Sequence, residues 1–203
     1  SDSTGNAAIQ KIRTVIVTPD TTAPVITLLA ADSVMSPVMS SYTDAGATAG
    51  DFRGGGNIQL TVSSTGNVNE NVVDFYSVTY TATDSAGNTT SVDRVVEVAD
   101  TVKPLITLIG SDPFMVEVGT FYTDSGITTS DNYYALSDLI ITSDAGTQVN
   151  IDAIGTYNVT YTVTDPSGNI AVAARTVIVE DTYKPVVSLS GDSIAVVEVH
   201  SAS

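Results

Sequence analysis

Apolar and polar residues alternate over two long stretches of the chain. Tyr76, Val78, Tyr80 and Ala82 alternate with Ser77, Thr79 and Thr81; Tyr157, Val159, Tyr161 and Val163 alternate with Asn158, Thr160 and Thr162. A period of two belongs to a strand buried on one face, and β-branched and aromatic residues suit a pleated surface. Each stretch runs into Asp-x-x-Gly-Asn, at 84–88 and 165–169. There the Asp can bond backbone ahead of it and the Gly can supply a positive φ, so both stretches end in a tight turn. Shorter apolar runs follow prolines at 25–28, 105–108 and 186–189. Further strands are expected near 58–62 and 139–142, and closing strands at 94–98 and 175–179. No stretch has helical periodicity. The pattern points Ile26, Leu28, Tyr76, Val78, Tyr80, Val96 and Val98 inward in one unit. It points Ile106, Leu108, Tyr157, Val159, Tyr161, Val177 and Val179 inward in another.

These segments recur in a fixed order. Asp-Thr-x-x-Pro occurs at 20–24, 100–104 and 181–185, and Pro24, Pro104 and Pro185 stand 80 and 81 residues apart. Tyr-Thr-Asp-x-Gly follows at 42–46 and 122–126. A polar loop is expected at 51–57 and at 131–138, before the next strand. The chain therefore reads as two whole repeats, 20–100 and 101–181. Residues 1–19 match the last turn and last strand of a preceding copy, and 182–203 match the start of a following one. Seven or so short strands per 80-residue unit, with frequent turn signals, give an all-β fold: tandem immunoglobulin-like Greek-key β-sandwiches. Proline fixes φ and holds the residue before it extended, so the short linkers predict a stiff array.

The order Asp-Thr-x-x-Pro-x-Ile-Thr-Leu, Tyr-Thr-Asp-x-Gly, Tyr-x-Val-Thr-Tyr-Thr-x-Thr-Asp-x-x-Gly-Asn resembles the bacterial immunoglobulin-like repeats of large surface proteins and adhesins. The resemblance covers nearly the whole chain. It implies extracellular, non-enzymatic tandem modules that extend or attach a cell-surface protein.

Composition narrows the picture. The chain has 203 residues, 42% hydrophobic, with no Trp and no Cys. That is enough for real cores, built mostly of Val, Ile, Leu, Ala and Tyr. Disulfides, thiolate metal sites and Cys nucleophiles are excluded. The formal net charge is -16, from 23 acids and 7 bases, which predicts repulsion from nucleic acid and anionic membranes. No apolar run is long enough to span a bilayer. The first residue is not Met and no signal peptide is visible, so the chain reads as the interior of something longer.

Catalytic chemistry is sparse. Gly191-Asp192-Ser193-Ile194 resembles a hydrolase nucleophile block, but it aligns with the ordinary turn at 110–113. The single His, His200, aligns with Gly119. A triad would need an oriented His. Arg13, Arg94 and Arg175 share one repeat position, where an Arg is expected to lie along the sheet with its head on an acid or carbonyl.

The carboxylates carry the remaining chemistry. In a sandwich of this kind the incoming linker, one loop and one turn share an end. That gathers Asp20, Asp51 and Asp84 in the first repeat, and Asp100, Asp131, Asp138 and Asp165 in the second. Convergent carboxylate oxygens are what Ca2+ takes, so calcium is the expected ion. The second repeat is the better candidate, because Gly54, Gly55 and Gly56 dilute the loop of the first. The competing reading is that Asp84 and Asp165 cap their own turns and that Asp44 and Asp124 close a bulge.

The expected function is a structural or adhesive one, as a stalk, surface layer or filament. Its partners are neighbouring Ig-like repeats of the same or another chain. The incomplete end repeats, a last strand in 1–18 and a first strand in 185–199, could exchange head to tail. The alternative is a carbohydrate- or ligand-binding accessory module of a secreted protein, which the lack of Trp disfavours.

Overall fold

A computed structural model describes residues 3–5, 11–53, 56–188, 190 and 191. The chain divides into two compact units, residues 1–101 and 102–203. Both are β-structures with almost no helix. Among the described residues, no helix is long and apolar enough to cross a membrane.

The first unit contains β1 (Val25–Leu28), β2 (Ser33–Pro37), β3 (Ala47–Arg53), β4 (Gly56–Leu60), β5 (Val62–Thr65), β6 (Asp74–Thr83) and β7 (Thr89–Ala99). One sheet has the order β1-β3-β4, the other β2-β7-β6-β5. All pairings are antiparallel except β2 with β7. The chain changes sheets between β1 and β2, so its first two strands serve opposite layers. The second unit contains β8 (Leu105–Leu108), β9 (Phe114–Glu117), β10 (Ile127–Ser130), β11 (Ile140–Ser143), β12 (Gly155–Thr164) and β13 (Ile170–Glu180). Its sheets are β8-β10 and β11-β12-β13-β9, with β9 parallel to β13.

The period-two reading holds residue by residue. Val78, Tyr80, Val96 and Val98 are buried, as are Val159, Tyr161, Val177 and Val179. Ile26, Leu28 and Tyr76, with Ile106, Leu108 and Tyr157, are half-buried on the same faces. Around the second core pack Leu108, Phe114, Tyr122 and Ile127, with Phe114 edge-on to Tyr122 at 5.5 Å between ring centroids. Tyr76 and Tyr157 donate their hydroxyls to the carbonyls of Val72 and Ala153, 3.1 and 2.9 Å away. Each such bond ties the start of a long strand to the segment that feeds it, a corner typical of Ig-like sandwiches.

Three expectations need correction. The described residues of the expected loop at 51–57 are strand: β3 continues through Asp51 to Arg53 and pairs with β4 in a hairpin, Asp51 opposite Ile58. The repeated Arg has its head on an acid and carbonyls as expected, yet it does not snorkel to water: Arg94 is 1% and Arg175 0% exposed, on the core side of the sheet. Nor do Asp44 and Asp124 merely close a bulge, because they accept those guanidinium groups. Residues 11–19 form no strand, and Ile12, Val15, Ile16 and Val17 are exposed. Gly191 is described as part of a bend, whereas Asp192, Ser193, Ile194 and His200 lie outside the described residues.

The buried Arg is the centre of a network. In the first unit Arg94 pairs with Asp44 and donates to the hydroxyl of Tyr80 (2.7 Å), the Ala31 carbonyl (3.0 Å) and the Gly46 carbonyl (3.2 Å). Asp44 also accepts from Tyr80 and Tyr42. In the second unit Arg175 faces Asp124 at 3.3 Å and donates to the carbonyls of Ile109 and Gly126 at 2.5 and 3.0 Å. Tyr161 and Tyr122 donate to Asp124 at 2.5 and 3.1 Å. Removing one partner would strand a buried charge, which costs about 3–5 kcal/mol. We therefore expect Asp124→Ala to lower the unfolding free energy of the second sandwich by about that much in urea titrations. Asp44→Ala should do the same to the first.

The network also sets a pH window. Burial pushes the Asp44 carboxyl up, but hydrogen bonds from Tyr80, Arg94 and Tyr42 outweigh it and hold the pKa below the usual 3.8. Its contribution is therefore complete above pH 3.8 and is lost as pH falls below that value. Burial and the bond to Asp44 push the Tyr80 phenol from 10.0 up to about 12. Burial and the Asp124 charge do the same to Tyr122. A raised phenol stabilises the fold fully below pH 10 and ceases to do so as pH rises through 12. Stability should therefore fall between about pH 10 and 12, and Tyr80→Phe should flatten that alkaline arm in the first sandwich.

Candidate metal centre

The two Asp-x-x-Gly-Asn turns are built alike. Asp84 accepts the backbone N–H of Ala86 (2.8 Å) and of Asn88 (2.9 Å) at Oδ1, and the Asn88 side-chain amide (2.8 Å) at Oδ2. Gly87, at φ 94°, carries the chain back. The Asn88 amide hydrogen bond, with help from the turn N–H groups, holds the Asp84 pKa below the usual carboxylate value. Asp165 accepts Asn169 N–H and the Asn169 amide, both at 2.8 Å. Both Asp side chains thus cap their own turns, as one reading of the sequence expected.

They do more than cap. Asp20, Asp51 and Asp84 each bring a carboxylate oxygen within 4.8 Å of the other two. They arrive from three parts of the first unit: the segment ahead of β1, the middle of β3, and the β6–β7 turn. The Asn88 side-chain amide spans two of them, donating to the Asp20 carbonyl at 3.3 Å as well as to Asp84. Asp20 accepts Thr22 N–H at 3.0 Å. Asp51 is 3% exposed, and its Oδ1 is buried with no hydrogen-bond partner. Ionised carboxylates gathered this closely repel one another. A hard cation would convert that repulsion into attraction.

In the second unit Asp131 and Asp165 stand at the positions of Asp51 and Asp84, again within 4.8 Å of each other. Asp100 stands in sequence where Asp20 does, directly after β7, and is buried. Asp131 behaves unlike Asp51. Its Oδ1 accepts Tyr133 N–H and Tyr134 N–H at 2.9 and 3.0 Å, which turns the chain away at the end of β10. Its Oδ2 is buried without a partner. Asp138 closes a 3-10 turn, Leu136–Asp138, and is exposed, with Ser137 Oγ on it at 3.3 Å; it takes no place beside Asp131 and Asp165. The glycines at 54–56 do not dilute the first group, because Asp51 sits inside β3 ahead of them.

The family described as bacterial surface protein, Ig-like domain, matches residues 26–98 and again 106–179. Hyalin of Lytechinus variegatus is 33% identical over 221 aligned positions, covering 100% of this chain and 40% of that protein. An uncharacterized 81.3 kDa protein of Acholeplasma phage L2 is 36% identical over 117 residues, covering 56% of this chain and 16% of its own length. The chain thus spans well under half of either relative. Among solved structures, the fibronectin(III)-like modules of Clostridium thermocellum CbhA align at TM-score 0.34 and 14% identity, over 82% of this chain and all of that one. The lipoprotein BT2262 of Bacteroides thetaiotaomicron aligns at TM-score 0.33 and 14% identity, over 75% and 98%.

Turn capping by Asp165 is separable from metal binding. Hydrogen bonds to a charged group contribute about 1.5–3 kcal/mol each. We expect Asp165→Ala to destabilise the second sandwich by at least that much in saturating chelator, where no cation contributes, as read by urea denaturation.

Proposed function

The chain belongs to the bacterial surface protein Ig-like domain family, and on that premise we propose that it is a non-enzymatic, extracellular structural or adhesive segment. Its sandwiches serve as tandem modules of a stalk, surface layer or filament. The observation that carries this reading is duplication of a whole scaffold. A four-stranded sheet of the same strand order, an Arg–Asp–Tyr cluster and a capped turn occur in both units. Repetition of a complete fold suits a protein whose product is length and mechanical continuity. A catalyst needs one differentiated site, whereas the buried Arg, Asp and Tyr side chains of each unit lie against one another.

Its partners are neighbouring Ig-like repeats, in the same chain or in another. Head-to-tail exchange through the strand sequences of 1–18 and 185–199 is one way such repeats could associate. Calcium is the ion its acidic turns take up, through Asp20, Asp51 and Asp84 in the first repeat and Asp131 and Asp165 in the second.

Force spectroscopy on the chain held at both ends tests the structural role. Two unfolding steps of nearly equal length are expected. Each should release about 25 nm, since an extended residue spans at most about 3.3–3.6 Å and the matched repeats cover residues 26–98 and 106–179. A single step, or gradual extension without steps, would remove the basis for a load-bearing role.

A further inference from the structure

We propose that the first sandwich holds a Ca2+ ion on Asp20, Asp51 and Asp84, and that binding it fastens the segment entering the sandwich to the end of the fold. This rests on the calcium part of the reading above and deepens it by saying what the ion regulates.

Asp51 carries the argument. It lies in the middle of β3, 3% exposed, and backbone pairing with Ile58 fixes it there. A carboxylate buried this far is normally satisfied by N–H or O–H donors. Its Oδ1 has none among the described residues, and its neighbours in space are two more carboxylates. An acceptor surrounded by acceptors is satisfied by a cation. The donor set chooses which. All three side chains offer oxygen and none offers nitrogen or sulfur, which selects a hard ion over zinc or copper. Oxygens on one Ca2+ lie about 2.3–2.6 Å from it, so ligands on opposite sides stand up to about 5 Å apart. Atoms gathered within 4.8 Å fit one such ion. Asp84 and Asp20 already accept hydrogen bonds, but a carboxylate oxygen has lone pairs for both a donor and a cation. Those bonds hold the ligands in place before the ion arrives.

The three ligands differ in how firmly they are held. Asp51 belongs to a strand, and Asp84 to a turn closed by its own side chain. Asp20 belongs to the segment before β1, where residues 11–19 form no regular structure. Two ligands are therefore fixed to the sandwich and the third is on the chain that enters it. Calcium would join them, so the order of residues 20–22 becomes a function of calcium concentration.

Hydrogen exchange on the whole 203-residue chain tests this, after stripping with chelator and titration with CaCl2, with MgCl2 as the comparison ion. Calcium should slow amide exchange at 20–22 and 84–88 by tenfold or more, and Mg2+ should do so much less. Asp51→Asn, which keeps the shape and removes the charge, should abolish that protection while exchange within β6 and β7 stays as in the chelated wild type. Should Asp51→Asn fail to fold, Asp20→Ala serves instead, because it alters only the entering segment. Loss of protection at 84–88 in that variant supports the site. Equal exchange with calcium and with chelator overturns it, as does protection that survives either substitution. None of those outcomes touches the two-step mechanical unfolding, so the site and the structural role stand or fall separately.

Discussion

Each sandwich encloses one positive charge, and the rest of its architecture is fitted to that fact. A guanidinium group in a protein interior is tolerable only when its charge is paired and its N–H groups are satisfied. Arg94 meets this with Asp44, Tyr80 and the carbonyls of Ala31 and Gly46. Arg175 meets it in part: it faces Asp124 and donates from Nη2 to the carbonyls of Ile109 and Gly126, while its Nε and Nη1 have no hydrogen-bond partner among the described residues. The Arg comes from the last strand of one sheet, whereas its acceptors lie on segments flanking strands of the other. The network thus pins one layer to the other at a single register. Lys could not replace it, since an ammonium lacks the planar fork that reaches several acceptors at once. The glycines after the Asp, Gly46 at φ 81° and Gly126 at φ 77°, hold a left-handed conformation while offering their carbonyls to the Arg.

The sequence disclosed the parts of the fold that depend on local pattern. Alternation located the long strands and their inward residues, and Pro24 and Pro104 marked where β1 and β8 begin. It even contained the position of the Arg: Arg94 has the same parity as Val96 and Val98, and Arg175 as Val177 and Val179. The sequence reading also placed the Arg head on an acid or carbonyl, and Asp44, Asp124 and nearby carbonyls receive it. What stayed hidden depends on distant partners. Ser33–Pro37 and Phe114–Glu117 have little strand character of their own. They become β2 and β9 by lying parallel to β7 and β13 at a sheet edge. Residues 51–57 looked like a loop because Asp, Asn and Gly dominate them, yet pairing across the hairpin makes 51–53 and 56–57 strand.

The acidic positions show how one repeat diverges from the other without losing the fold. Asp51 and Asp131 occupy the same place. After Asp51 the chain continues as strand, so the carboxylate stays within the sheet. After Asp131 it bends, and the carboxylate is drawn onto the N–H groups of Tyr133 and Tyr134. Asp138 seemed a third member of the second group from its nearness in sequence, but the 3-10 turn carries it outward. The sequence named which carboxylates could converge; backbone pairing decided which did.

The placement of the basic residues bears on how such a chain meets proteases. There are seven Lys and Arg in all. Arg94 and Arg175 are interior residues of paired strands, closed to any enzyme that needs an extended, accessible backbone. Lys103 and Lys184 each precede a proline, and that bond resists trypsin-like cleavage. Lys11, Arg13 and Arg53 remain, so beyond Arg53 neither sandwich presents an accessible Lys or Arg followed by a cleavable bond. The burial that lets a guanidinium lock two sheets together also leaves this acidic surface nearly mute to a major class of digestive protease.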